Sequence, residues 1–112
     1  MVMRPDVEVF SALADPTRLD LVERLQRADG LATTELAQGT GLSRQAVKKH
    51  LDVLAHAGLV TDTRSGRRRI WRLDPSPLRS VQSWAEGIRT QWETRFNQLD
   101  AFLLQQGDET CT

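Results

Sequence analysis

Apolar residues recur at helical spacing through most of the chain and switch to alternation once, between residues 59 and 73. Val47, Leu51 and Leu54 fall four and three apart, which places them on one face of a helix within residues 42–59. Ser43 is suited to cap its first turn and Gly58 to end it in a left-handed C′ position. Arg44, Gln45, Lys48 and Lys49 lie off the apolar face, in the N-terminal half. Upstream, Asp6 can cap a helix running to Ala14, with Val7, Phe10, Leu13 and Ala14 as its inward face. Asp15-Pro16 pairs an N-cap with a proline at the first helical position. It predicts a second helix to about Ala28 that buries Leu19, Val22 and Leu25 or their close neighbours, with Asp29-Gly30 as its stop. Residues 32–38 read as a short third helix, with Thr33 or Thr34 near its start and Leu36 and Ala37 inward. Gly39-Thr40-Gly41 breaks that helix, leaving a short helix, a glycine turn and a longer capped helix, the pattern of a helix-turn-helix.

Alternation over residues 59–63 and 68–73, around a turn at residues 64–67, predicts a β-hairpin. A helix-turn-helix followed directly by a basic hairpin is a winged helix. The expected fold is therefore mainly α with a small β-hairpin wing. Asp74-Pro75-Ser76-Pro77 then punctuates the chain, and a last helix runs from Leu78 to about Gln106, roughly 40 Å at 1.5 Å per residue. Leu78, Val81, Ala85, Ile88, Trp92, Leu99 and Phe102 follow three-four spacing on it, with Arg95 as the polar break. Trp84, Phe96 and Leu103 add a second row. That stripe is wider than a small three-helix core can cover, so a symmetric homodimer through the terminal helices is expected. The 112 residues then make one domain. Residues 6–75 form a winged core, 76–106 a dimerisation helix and 107–112 a tail.

Composition narrows the function classes. No apolar run approaches the roughly 18 residues that span a bilayer, and no signal-peptide pattern opens the chain, so a cytoplasmic protein without membrane contact is expected. A single cysteine, Cys111, makes neither an intrachain disulfide nor a thiolate cluster. Its place in the tail argues against tight coupling of a redox switch to the basic face. Net charge is zero but unevenly placed: residues 44–72 hold eight basic and two acidic side chains, against seven and thirteen elsewhere. One basic face that displaces counterions from a phosphate backbone follows from that division.

Several separated segments, in order, resemble the ArsR/SmtB-type bacterial transcriptional repressors. They are Ala12-Leu13-Ala14-Asp15-Pro16-Thr17-Arg18-Leu19, Glu35-Leu36-Ala37, and Gly41-Leu42-Ser43 leading into Val47, His50-Leu51 and Leu54. Ala57-Gly58-Leu59-Val60 and Gly66-Arg67-Arg68 with Leu73-Asp74-Pro75 complete the match. The resemblance implies a dimeric winged helix that binds an inverted-repeat operator and blocks transcription. Metal-sensing members carry a Cys-x-Cys pair leading into the acidic-Leu-Ala of the third helix, where this chain has Ala32-Thr33-Thr34. Its last helix offers Glu86, Glu93 and Asp100 without a histidine, a poor zinc set. The expectation is a metal-independent member with no cofactor.

Arg44, Gln45 and Lys48 are the candidates for base edges, since arginine and lysine suit guanine and glutamine suits adenine. Ala46 is small enough to allow close approach and a contact with a thymine methyl. Ser43 and Lys49 are expected to position the backbone, His50 to pack or touch phosphate, and His56 to lie at the surface. Arg64, Arg67, Arg68 and Arg69 are the wing candidates, along phosphates or toward the minor groove. The rival reading is a winged-helix module whose basic face binds an acidic protein. An enzyme is not expected: two histidines on one helix, a terminal cysteine and no glycine-rich phosphate loop form no catalytic constellation. The operator and any small-molecule effector are not written in these residues.

Overall fold

The computed structural model describes residues 7–110, with side chains to residue 104. Five helices and three strands follow in order: α1 (Val7–Leu13), α2 (Pro16–Gln26), β1 (Leu31–Ala32), α3 (Thr33–Ala37), α4 (Arg44–His56), β2 (Val60–Ser65), β3 (Arg68–Leu73) and α5 (Ser76–Thr110). The expected Asp6 cap and Cys111 lie outside the described residues. The antiparallel sheet has the order β1-β3-β2, with Leu31 opposite Trp71 and Val60 opposite Leu73. The wing is thus a hairpin with a third, two-residue strand on its inner edge.

The core lies where α2, α3 and α4 meet the sheet. Leu21, Leu36, Val47, Leu51, Leu54, Leu59 and Trp71 are fully buried in it. Trp71 satisfies its indole by donating from Nε1 to Thr33 Oγ1 at 2.9 Å, as a buried tryptophan requires.

Two inward faces differ from the sequence expectation. In α1 the buried residues are Val9 and Ala12, while Val7 is 68% exposed and Phe10 turns outward to meet Trp84 of α5. In α2, Leu21 and Leu25 are buried and Leu19 is exposed. A seven-residue helix carries two apolar rows, and its packing partner decides between them.

α2 holds both of its neighbours by their ends. Its N-cap Asp15 accepts from the Arg18 N–H at 3.0 Å. Arg18 then donates to the Ala12 carbonyl from Nε at 2.7 Å and to the Ser11 carbonyl at 3.2 Å, closing the orphan C-terminus of α1. One turn and a half along, Arg24 donates to the carbonyls of Leu36 and Gln38 at 2.6 and 2.7 Å, closing the end of α3.

α4 ends as its sequence predicts. Gly58 has φ +81°, its N–H donates to Ala55 and that of Leu59 donates to Leu54, both at 2.9 Å. That pair of bonds is a Schellman motif, and it turns the chain directly into β2.

α5 leaves the body. Leu78 and Val81 pack on the core, so these two members of the expected dimer row serve their own chain. Phe10 and Trp84 meet edge to face at 5.2 Å. Beyond them Ile88, Trp92, Phe96, Leu99, Phe102, Leu103 and Leu104 are 42% to 70% exposed. The helix also runs past Gln106, to Thr110, giving the molecule extents of 79 × 30 × 22 Å. Among the described residues no helix is long and apolar enough to cross a membrane.

Candidate nucleic-acid interface

The basic side chains of α4 stand outward because its apolar stripe is fully used behind them. Val47, Leu51 and Leu54 have no exposed surface, whereas Arg44, Gln45, Lys48 and Lys49 are exposed. Ser43 caps the helix by accepting from the Ala46 N–H at 3.1 Å, which aims the first turn away from the core. Thr40 braces the preceding turn, donating to the Ala37 carbonyl at 2.8 Å and accepting from the Leu42 N–H at 3.1 Å.

The wing folds back beside this turn. Ser65 pairs with Arg68, leaving a two-residue loop of Gly66 and Arg67, shorter than the four-residue turn expected. Gly66 has φ +65° and Arg67 beside it does not have a positive φ, the pattern of a type II′ hairpin. Arg64 therefore lies in β2 and not in the turn.

Helix and wing enclose an open groove of about 380 Å³. Arg44, Gln45 and Lys48 line one side, Arg67, Arg68 and Arg69 the other, and Ala32, Thr33 and Thr34 the floor. Six of the eleven expected interface residues thus meet at one concavity. Ser43, Ala46, Lys49, His50 and Arg64 are not among its lining residues. Thr33 and Thr34 were not expected there; the hydroxyl pair between a strand and a short helix is the signal that marks them.

The cations at this face fall into two groups. Arg44, Lys49, Arg64 and Arg67 have no ion pair among the described residues. Lys48 lies 3.5 Å from Asp52, one helical turn on. Arg68 pairs with Glu35, and Arg69 pairs with Asp62 while its guanidinium sits 5.0 Å from the Trp71 ring.

His50 faces the other way, into the junction with α2. Its Nδ1 is 3.3 Å from Arg18 Nη1 and 3.9 Å from the Asp15 carboxylate. The Arg18 backbone N–H holds the Asp15 carboxyl below its ordinary value, with the Arg18 charge adding to the effect and desolvation opposing it. His56 is at the surface, 3.7 Å from Glu8. Among the described residues no group of three or more His, Cys, Asp or Glu side chains is placed to hold a metal ion.

A helix-turn-helix domain model matches residues 13–63. The HTH-type transcriptional regulator Rv2034 of Mycobacterium tuberculosis is 41% identical over 106 residues, which cover 95% of this chain and 94% of that protein. The solved structure of the ArsR family transcriptional regulator RHA00566 aligns with TM-score 0.74 at 28% identity, over 81% of this chain and 97% of that one. The chain belongs to the ArsR family of transcriptional regulators. A further solved structure, the homodimeric winged helix-turn-helix DNA-binding domain of Mb0332 from Mycobacterium bovis, aligns with TM-score 0.60 at 28% identity over 71% of this chain and 77% of that one. As an ArsR-family winged helix the protein is a DNA-binding transcriptional regulator and not an enzyme. In that fold α4 is the second helix of the helix-turn-helix and the β2–β3 hairpin is the wing.

Proposed function

We propose that this regulator is a metal-independent homodimeric repressor that places two copies of α4 in successive major grooves of an inverted-repeat operator. The observation that carries this reading is the groove shared by Arg44, Gln45 and Lys48 of α4 with the arginines of the wing. It puts side chains suited to base edges and side chains suited to phosphates on one concave surface. Arg44, Gln45 and Lys48 read bases; Ser43 and Lys49 set the helix against the backbone, and Ala46 leaves room for close approach. His50 is scaffold. Arg64 and Arg67 take phosphates along the flank.

The dimer reading draws on α5. Fully covering one Leu or Phe side chain is worth about 1.5–3 kcal/mol, and Ile88, Trp92, Leu99 and Phe102 are all half exposed in a single chain. A second copy is the economical cover, with Ala85 among the contacts and Phe10 and Trp84 at the edge. Metal independence draws on Ala32, Thr33 and Thr34, which stand where the metal-sensing members have their thiolates.

Titrating the purified chain against an inverted repeat and a scrambled duplex tests the reading. Tighter binding to the repeat, at two chains per site and weakening steeply with salt, is the expected result. Binding to acidic protein with none to DNA would replace it with the rival module.

A further inference from the structure

Glu35 is a carboxylate on the DNA-facing side of a DNA-binding protein, where its charge opposes binding. One of its oxygens, Oε1, serves two groups. It accepts from the Ala32 N–H at 3.2 Å, which fixes the junction of β1 and α3, and it pairs with the guanidinium of Arg68 in β3. The two residues are 33 apart in sequence, and both side chains are about half exposed. Arg68 stands at the first position of β3, immediately after the Gly66-Arg67 loop. That pairing therefore ties the wing tip to the helix that braces α4.

We infer that Glu35 is a positioning residue for DNA binding, clipping the wing through Arg68 to the start of α3. The inference rests on the reading of this face as the DNA interface. Arg68 then serves the shape of that interface, and Arg67, which pairs with no carboxylate among the described residues, supplies the phosphate contact at the tip. Screening makes an exposed pair of this kind a weak contributor to stability. Its value is geometric: Trp71 already joins the middle of β3 to Thr33, and the Glu35–Arg68 pair extends that hold to the start of β3, beside the tip, so that the arginine side of the groove keeps its distance from Arg44 and Lys48.

The two roles predict opposite signs. If Glu35 acts only as a charge near DNA, removing it tightens binding and releases Arg68 to a phosphate. If it acts as the clip, removing it weakens binding although a negative charge has gone. The test measures binding of the full chain to a mixed-sequence duplex over a range of salt concentrations, with thermal unfolding as the folding control. Glu35→Ala is expected to bind several-fold more weakly than the wild type. Arg68→Ala should weaken binding without changing the slope of log K against log salt, while Arg67→Ala lowers that slope by about 0.9. The double variant Glu35→Ala with Arg68→Ala should bind no worse than the weaker single variant, because the two act as one unit. Glu35→Gln keeps an acceptor for the Ala32 N–H, so it decides the matter should Glu35→Ala fail to fold; it too is expected to bind more weakly than wild type. Tighter binding by Glu35→Gln, or a lower salt slope for Arg68→Ala, overturns the clip and leaves the DNA face standing. Absence of salt-dependent binding by the wild type overturns the DNA face itself, and the clip with it.

Discussion

Arg18 and His50 meet at 3.3 Å, joining the second helix to the middle of α4. Arginine has only donors, so Nδ1 of His50 accepts. The same guanidinium closes the C-terminus of α1 through the Ser11 and Ala12 carbonyls. One side chain thus fixes three helices, and α4 is held from behind at the turn after Lys48 and Lys49.

Arg18→Ala should therefore cost stability more than DNA contact. Leaving the part-buried Ala12 carbonyl and a part-buried histidine without their donor costs about 1–3 kcal/mol, the exposed Ser11 carbonyl turning to water instead. Urea unfolding should show that loss in the midpoint, while His50→Ala, which keeps the α1 closure, should show a smaller one. Equal losses would place the Arg18 effect at His50 alone.

Charged substitutions along α5 should separate its two roles. Trp92→Glu or Ile88→Glu is expected to leave the chain folded and shift it from dimer to monomer in sedimentation. Val81→Glu, which buries a charge against the core, should instead lower the unfolding temperature. A dimer unaffected by glutamate at positions 88 and 92 would move the interface elsewhere.

Two carboxylates at helix starts predict the acid limb of stability. Asp15 is held below its ordinary value of 3.8 first by the Arg18 N–H, and Asp74 first by the Ser76 N–H and then by the Ser76 side chain. A depressed carboxyl is protonated first in the unfolded chain as pH falls. Its contribution is complete above the unfolded value and is lost as pH falls through the folded one. Asp15→Asn retains an oxygen for the cap but not the charge, so it should lower stability at neutral pH, flatten the loss below about pH 4 and converge on the wild type in acid. Unfolding midpoints measured from neutral pH downward give the comparison. An acid limb as steep as the wild type's would take Asp15 out of the account.

The recognition unit was legible in the sequence because local chemistry specifies it. Ser43, Gly58 and the Val47-Leu51-Leu54 spacing name the helix, and Gly66 among arginines names the hairpin. The outward face of α4 followed from the same spacing. What escaped were contacts made between distant segments. β1 is two residues long and exists because Leu31 and Ala32 find Trp71 and Ile70; two residues carry no period. Phe10 looked inward by spacing, yet its partner is Trp84, far along the chain. Arg68 and Arg69 read as wing cations from their run, and only the folded hairpin shows Glu35 and Asp62 beside them. Charge counted along a chain does not reveal which charges are already answered.

In the proposed dimer α4 reads sequence as one half of a two-fold pair. Selection of bound duplexes from a random pool, using the purified wild type and Arg44→Ala, tests it most directly. The wild type should enrich an inverted repeat with half-site centres about 10 base pairs apart. Arg44→Ala should lose preference at one symmetric pair of positions, at a cost of about 1–3 kcal/mol for that base, while keeping its affinity for the unselected pool nearly intact. Enrichment of an asymmetric site, or an Arg44→Ala variant that selects the same repeat with the same preference, would contradict it.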